Sequence, residues 1–230
     1  MLHRPNYNEF LAACAKYVKI EQGDTNYEVA HGWVEAHWND PIRVAGGVRI
    51  LEETWNRAFY SRRGIFDMQQ VVQAIVKYKN ELNQLRSRSI ETFSSADENV
   101  TAQLWKIFFE ALRPRGRLVS PYVATAKALH LLVPSFFVPF DGAIAKNYGC
   151  SERQPQGYIK FQHLMASLAC HILDSFTAKN GGDRQTAKTL ICGSMYTQQT
   201  ASRYVKTFAK LLDEYNWVTR LDRGKVPAEH

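Results

Sequence analysis

The sequence has no apolar run that approaches a membrane span, and its few cysteines lie far apart. A bilayer-spanning helix needs about 18 to 20 consecutive apolar residues, and the first residues, Met1-Leu-His-Arg-Pro-Asn6, are not the apolar stretch of a signal peptide. Cys14, Cys150, Cys170 and Cys192 form no Cys-x-x-Cys pair, so zinc and iron–sulfur clusters lack their usual ligand spacing. We expect reduced thiols and a cytoplasmic or nucleoid-associated protein.

Other signatures of bound cofactors are also missing. His31 with His37, and His163 with His171, have no carboxylate at a convincing metal-ligand spacing. The glycine pair within Asn180-Gly-Gly-Asp183 does not precede a phosphate-binding lysine, and this composition is typical of a turn. We therefore predict neither a metal nor another cofactor.

Acidic residues are outnumbered by basic ones. The chain of 230 residues has 29 Lys and Arg against 22 Asp and Glu, which gives a net charge of +7. This balance favours an acidic polymer as partner. Two short basic segments, Arg113-Pro-Arg-Gly-Arg117 and Ser61-Arg-Arg-Gly64, have the composition of loops in which side chains and free N–H groups converge on phosphate. Each segment taken singly is equally well explained as a solvated loop.

Apolar residues recur at intervals of three and four along almost the whole chain, which is the pattern of amphipathic helices. No alternating strand pattern, internal repeat or long linker interrupts it. We predict one all-α domain over residues 1–230, a compact multi-helix bundle with two closely packed helical lobes. The predicted helices cover 7–20, 27–38, 41–59, 66–93 with a break within 80–89, 100–112 after an Asp97 cap, 120–133, 141–149, 158–178, 184–195 and 200–217.

The helix predicted over 120–133 is almost entirely apolar yet contains Lys127. Ser120-Pro121 is a typical helix start, and Pro134 ends the helix. A lysine beside an apolar pocket is poorly solvated, so its neutral amine becomes accessible and can attack an electrophilic carbon. The structural alternative is a lysine that extends to solvent from one edge of a buried helix.

Asp141 stands where an aromatic connection, with Phe136, Phe137 and Phe140, meets the next predicted helix. An aspartate at this position caps the helix and benefits from the helix dipole. A carboxylate held in this way can also orient a water molecule or stabilise a cationic sugar. Capping and catalysis are compatible, because both require the ionised carboxylate.

The order of a basic loop, Ser120-Pro-Tyr-Val-Ala-Thr-Ala-Lys127, an apolar helix and Phe137-Val-Pro-Phe-Asp141 resembles the helix-hairpin-helix DNA glycosylases. The resemblance is nearest to the lysine-bearing branch that removes 8-oxoguanine. It covers residues 113–149 and implies that this segment grips DNA and performs the chemistry. It further implies that Lys127 is the nucleophile and Asp141 the essential carboxylate.

The resemblance implies a monomer that flips a damaged or modified base out of double-stranded DNA and cleaves its N-glycosidic bond. Asp141 would stabilise the sugar cation and activate either water or the Lys127 amine, the latter with strand cleavage. Trp38 and Trp55 are further aromatic candidates for the pocket, although aromatics at helical spacing are more often core residues. The expected pocket residues are Phe140, His130 and Trp33, and the expected DNA-binding residues are Arg113, Arg115, Arg117, Ser120, Tyr122, Arg62, Arg63 and Lys146.

The sequence leaves the base open. Oxidised guanine, alkylated bases and the bulky modified bases of viral DNA all suit a basic helical glycosylase, and the last would make it a defence protein rather than a repair enzyme. Gln198 and Gln199 lie where they could reach a base edge. Two other functions stay open: a non-catalytic helical protein that binds DNA or RNA, and a helical scaffold that binds another protein through its aromatic surface.

Overall fold

The computed structural model describes residues 4–21, 25–151, 153–197 and 205–223. Within these ranges the prediction of an all-α chain is confirmed, since extended pairing is limited to one isolated bridge between Phe66 and Pro114. Short 3-10 helices cover Ile90–Thr92 and Ser95–Asp97. The α-helices are α1 Tyr7–Glu21, α2 Thr25–Ala36, α3 Pro41–Trp55, α4 Arg57–Tyr60, α5 Met68–Lys77, α6 Lys79–Arg86, α7 Glu98–Ala111, α8 Tyr122–Leu132, α9 Gly142–Asn147, α10 Pro155–Asn180, α11 Arg184–Thr197 and α12 Phe208–Arg223.

Two predicted helical segments are divided further than the sequence indicates. The helix predicted over 41–59 ends at Trp55 and resumes after Asn56. In the segment 66–93 the break predicted within 80–89 is confirmed, since α6 ends at Arg86, and a second break lies at Tyr78. Both break residues leave helical geometry, with φ and ψ of −115° and 24° at Asn56 and −110° and 22° at Tyr78. After this break the Phe59 N–H donates to the Asn56 carbonyl, and the Trp55 carbonyl accepts from the Lys127 side chain of α8.

Aspartates begin several helices by accepting backbone N–H bonds, as expected of N-caps. Asp40 accepts from Ile42 and Arg43 at the start of α3, and Asp141 accepts from Ile144 at the start of α9. The predicted cap of α8 is corrected: Pro121 occupies the N-cap position, and the Ser120 hydroxyl has no hydrogen-bond partner among the described residues.

Two other predicted helix starts also change. Asp97 directly precedes α7, but its carboxylate caps the preceding 3-10 turn through the Ser94 N–H and binds Arg88. The final helix begins at Phe208 instead of Thr200, because Thr207 accepts from the Lys210 N–H as its cap. Residues 198–204, which include Gln198 and Gln199, lie outside the described residues.

Helix α8 lies at the centre of the fold, packed against α7, α3 and α2. The connection that follows it is also buried, with Phe136, Phe137 and Phe140 each at most 1% exposed. Burying an aromatic side chain of this size stabilises the fold by about 1.5–3 kcal/mol. The position of Asp141 at the end of this connection is therefore fixed by the core.

Helix α10 holds the same connection from its other side. The Gln162 side chain accepts from the Val138 N–H at 3.0 Å and donates to the Val138 carbonyl at 2.8 Å. These bonds satisfy a buried backbone that has no helical or strand partner. Near the start of α10, a Cβ added at Gly157 would lie 1.7 Å from the Ser151 carbonyl oxygen, so only glycine fits there.

None of the described helices combines the length and the apolar character needed to cross a membrane. Likewise, the described ranges contain no group of three or more His, Cys, Asp or Glu side chains arranged to hold a metal ion.

Candidate active site

Lys127 and Asp141 line the same cavity, which has a volume of about 310 Å³. Lys127 comes from the middle of α8 and Asp141 from the start of α9, while the opposite wall is formed by α3, α1 and α12. The cavity is the candidate active site and is called the catalytic cavity below. It is lined by Tyr17, Trp55, Lys127, Pro139, Phe140, Asp141, Ile144, Asp213, Trp217 and Arg220. Three residues selected from the sequence, Lys127, Asp141 and Phe140, are thus brought together.

The Asp141 carboxylate is held at both oxygens. Oδ1 accepts from the Ile144 N–H at 2.8 Å, which caps α9, and Oδ2 forms an ion pair with the Arg220 guanidinium of α12. The side chains of Asp141 and Arg220 are 30% and 26% exposed, so water reaches this end of the cavity. Each carboxylate oxygen keeps a further lone pair, so Asp141 can still interact with a positive centre inside the cavity.

The Lys127 amine is directed by α3 and the break that follows it. Nζ donates to the Trp55 carbonyl and to Asn56 Oδ1, each at 3.1 Å, and lies 4.4 Å from the centroid of the Trp55 ring. The Trp55 carbonyl is available because the chain leaves helical geometry at Asn56. The Lys127 side chain, which the sequence predicts to reach solvent or a pocket, therefore ends at two hydrogen-bond acceptors.

The electrostatic surroundings of Lys127 favour its neutral form. Burial lowers the pKa of the Lys127 ammonium below its usual range, and the charge of Lys210 acts in the same direction. Three carboxyl groups, Glu52, Asp213 and Asp141, oppose this shift. Burial is the largest of these effects, so the fraction of Lys127 present as amine is higher than for a surface lysine.

Behind Asn56 lies a buried acid, Glu52. Its carboxyl Oε2 accepts from Asn56 Nδ2, and its Oε1 has no hydrogen-bond partner among the described residues. Burial raises the pKa of the Glu52 carboxyl to about 8, although the Asn56 bond and the charge of Lys127 both act to lower it. Glu52 is therefore mostly a neutral acid at pH 7.

Helix α12 contributes further buried charges beside the cavity. Lys210 is fully buried, with Nζ 2.9 Å from Asp213 Oδ2 and 3.8 Å from Glu214 Oε1. Its ammonium also lies 4.9 to 5.3 Å from the ring centroids of Trp55, Tyr17 and Tyr27. Paired carboxylates and aromatic faces offset the cost of burying this cation.

A second cavity of about 590 Å³ lies at the start of α8 and shares Trp55 with the catalytic cavity. It brings together Arg63, Ser120 and Tyr122, three of the residues predicted to bind DNA, and adds Arg153. The full lining is Trp55, Asn56, Phe59, Arg63, Leu118, Val119, Ser120, Pro121, Tyr122, Val123, Ala124 and Arg153. We call it the α8 cavity.

Neither His130 nor Trp33, the other two predicted pocket residues, lines either of these two cavities. His130 is fully buried, with Nδ1 2.7 Å from the Phe137 carbonyl and Nε2 2.8 Å from the Tyr27 hydroxyl. Because a carbonyl only accepts, Nδ1 carries the proton and Nε2 accepts from Tyr27. Trp33 donates to the Arg43 carbonyl at 2.6 Å.

The other predicted DNA-binding residues lie outside both cavities. Arg113 pairs with Glu110 at 2.9 Å, and Arg115 pairs with Asp67 at 3.0 Å, which leaves the cations at the surface but partly neutralised. The remaining three predicted cations are exposed: Arg117, Arg62 and Lys146.

Several residues of the site were missed at the level of sequence. Glu52, Asn56, Asp213 and Arg220 carry no motif, and they reach the cavity only through packing of α3 and α12 around α8 and α9. One signal was present: Lys210 stands three and four residues before Asp213 and Glu214 in a helix start whose other residues are apolar, which indicates a buried ion pair.

No family model, curated protein or solved structure matches this chain.

Proposed function

We propose that this protein is a helix-hairpin-helix-like DNA glycosylase that excises a modified base from double-stranded DNA. The observation that carries the proposal is that Lys127 and Asp141, the two residues selected by the resemblance, line one cavity of about 310 Å³. This volume is at the lower end of the range of about 300–1,000 Å³ found for small-molecule pockets. Such a cavity suits a single flipped nucleoside, which must leave the duplex before C1′ becomes reachable.

In the proposed reaction the Lys127 amine attacks C1′ of the flipped nucleotide. The new bond is N–C1′, and the N-glycosidic bond breaks with its electron pair leaving on the base. The base takes up a proton, and the amine nitrogen loses one. Opening of the sugar ring then converts the adduct into a protonated Schiff base, with the ring oxygen taking a proton from water.

Asp141 stabilises the positive charge that develops on the sugar as the base leaves. Its carboxylate is fixed before the reaction by the Ile144 N–H and by Arg220, so little reorganisation is needed when the charge appears. Phe140 and Trp55 supply apolar walls next to this carboxylate. These walls limit contact with water on the inner side of the carboxylate and thereby strengthen the interaction between charges there.

The DNA backbone is proposed to lie over the α8 cavity and the adjacent basic loop. Arg63 and Arg153 line this cavity beside the first turn of α8, and Arg117 is exposed on the loop that leads to it. Guanidinium groups and backbone N–H groups of a helix start are common phosphate ligands. The net charge of +7 adds a general attraction for DNA.

The proposal is tested with duplexes that carry 8-oxoguanine, alkylated purines or bulky modified pyrimidines. Released base is measured by chromatography, and a Schiff base is trapped with borohydride as a covalent protein–DNA adduct. We expect both products with one of these substrates. Lys127→Ala should lose the adduct, whereas the exposed control Lys160→Ala should keep it.

Salt-sensitive binding of the duplexes without release of any base would instead support the non-catalytic nucleic-acid-binding function. An adduct that persists in Lys127→Ala would show that another residue is the nucleophile.

A further inference from the structure

The break between α3 and α4 connects a buried acid to the Lys127 amine through one amide. Asn56 Oδ1 accepts from Lys127 Nζ at 3.1 Å, and Asn56 Nδ2 donates to Glu52 Oε2. The amide therefore has its acceptor end toward the lysine and its donor end toward the acid. Asn56 is held in place at its backbone too, since its N–H donates to the Glu52 carbonyl at 3.2 Å.

The number of acceptors around Lys127 matters for its chemistry. The described residues supply two, the Trp55 carbonyl and Asn56 Oδ1. A neutral amine has two N–H bonds and one lone pair, so these two acceptors occupy both of its donors. The lone pair of the amine, which lines the catalytic cavity, is then available for reaction.

The surroundings of Glu52 favour the neutral acid on geometric grounds. The residue is fully buried, and the described residues give it one donor, at Oε2, and none at Oε1. A buried carboxylate needs several donors or a direct ion pair to offset its loss of hydration. A neutral carboxylic acid in the same place carries no charge, and only its Oε1 atom lacks a hydrogen-bond partner among the described residues.

We propose that Asn56 is a positioning residue that holds Lys127 as an amine facing the catalytic cavity, and that neutral Glu52 fixes the orientation of the Asn56 amide. The inference rests on the proposed function for its purpose, because a glycosylase with a lysine nucleophile needs a neutral, oriented amine. The titratable groups that face Lys127 are Glu52 on α3, Asp213 and Lys210 on α12, and Asp141 before α9. Tyr60 on α4 faces Glu52 in turn.

A purely structural role makes a different prediction. Lysine ammonium groups often cap the C-terminal carbonyls of helices, and Lys127 would then remain charged on the Trp55 carbonyl. Reaction with a small electrophile separates these two cases, because only the amine reacts. Formaldehyde with cyanoborohydride methylates amines and is small enough for a cavity of about 310 Å³.

The experiment measures methylation of Lys127 in the intact protein as a function of pH, by mass spectrometry of its peptide. The exposed residues Lys146 and Lys160 serve as references in the same digest. We expect the half-maximal rate of Lys127 at a lower pH than that of either reference. A midpoint equal to that of the references would overturn the proposal, because Lys127 would then be an ammonium cap.

Two variants test the hydrogen-bonded chain that runs from Glu52 through Asn56 to Lys127. Asn56→Asp places a carboxylate next to Nζ, and an opposite charge this close should raise the midpoint by about one pH unit or more, which is a roughly tenfold slower reaction at neutral pH. Glu52→Gln still accepts from Asn56 Nδ2 without a charge, so the midpoint should stay within about half a pH unit. A faster reaction in Glu52→Gln would mean that Glu52 is a carboxylate and would overturn its assigned role.

The two proposals fail in distinguishable ways. Circular dichroism and melting curves establish whether each variant is folded. If Asn56→Asp does not fold, Glu52→Gln still tests the proposal. If no duplex loses a base while Lys127 shows the expected pH profile, the glycosylase proposal fails and the assignment of Asn56 stands. If base is released but Asn56→Asp leaves both the Lys127 midpoint and the borohydride adduct unchanged, the assignment of Asn56 fails.

Discussion

Asp141→Asn separates the structural from the chemical role of this aspartate. The asparagine Oδ1 can still accept from the Ile144 N–H, so the cap of α9 is kept. The substitution removes the ion pair between Asp141 and Arg220, whose side chains are 30% and 26% exposed, respectively. A pair this accessible contributes about 0–1 kcal/mol. The charge at the start of α9 adds about 0.3–1 kcal/mol.

We therefore expect Asp141→Asn to lower the free energy of unfolding by about 1 kcal/mol. For a chain of this length such a loss lowers the melting temperature by about 2–4 °C. Base release should fall much further, by about 100- to 1,000-fold, which is the usual effect of removing one group that stabilises charge in a transition state. A loss of this size corresponds to about 2.7–4 kcal/mol, so it exceeds the effect on stability by about 2–3 kcal/mol.

The assays are equilibrium urea unfolding and single-turnover base release on the same preparation. The matched control is Asp40→Asn, which changes an aspartate that also caps a helix and lies 3.4 Å from an arginine, Arg43, but does not line the catalytic cavity. The control should show the small loss of stability with full activity. Wild-type base release by Asp141→Asn would refute the assigned role, since capping alone would then explain the residue.

Three further predictions concern the fold, the buried acid and the DNA surface. Gly157→Ala should destabilise the fold by about 2 kcal/mol or more, because its Cβ has no room; Gly193→Ala, whose Cβ meets open space within α11, should instead stabilise it by about 0.5–1 kcal/mol in thermal unfolding. Burial raises the pKa of Glu52 to about 8, against 4.5 for an ordinary glutamate, so the folded state binds an extra proton between these values and loses stability as the pH rises through that window. Glu52→Gln should show a smaller loss in urea unfolding between about pH 5 and about pH 8, and an equal loss in both proteins would contradict the buried acid. Arg117→Ala should weaken binding to all duplexes and reduce the slope of log affinity against log salt by about 1 in fluorescence anisotropy, whereas Lys179→Ala, at the far end of α10, should change neither.

The helices of this fold could be predicted because their signal is local. Amphipathic spacing places α1, α7, α8 and α10 to within a few residues of their observed bounds. The breaks at Asn56 and Tyr78 were harder to locate, since neither has a glycine or proline beside it. At Tyr78 tertiary contacts accompany the break: Lys79 lies over the Trp38 ring and donates to the Trp38 carbonyl, 41 residues earlier in the chain.

The candidate site likewise contains residues that a local pattern predicts and residues that it does not. Lys127, Phe140 and Asp141 lie close in sequence, on one helix and the connection that follows it, so their meeting in one cavity could be expected. The residues of the opposite wall could not be predicted in this way. Asp141 meets Arg220 across 79 residues, and Lys127 meets the Trp55 carbonyl across 72. No local pattern encodes such pairings, because they depend on how α12 and α3 pack against α9 and α8.

Glu52 and Glu53 show why the buried acid could not be recognised from sequence. Adjacent glutamates near the end of a helix look like a solvated pair, yet Glu52 is fully buried and Glu53 is exposed beside Arg49. Successive helical residues point about 100° apart, so one faces the core when the other faces water. Replacing a buried ionisable group by an apolar side chain of similar volume is often neutral or stabilising. An acid kept at such a position at a cost to stability is better explained by what it touches, and the group that Glu52 touches is the amide that holds Lys127.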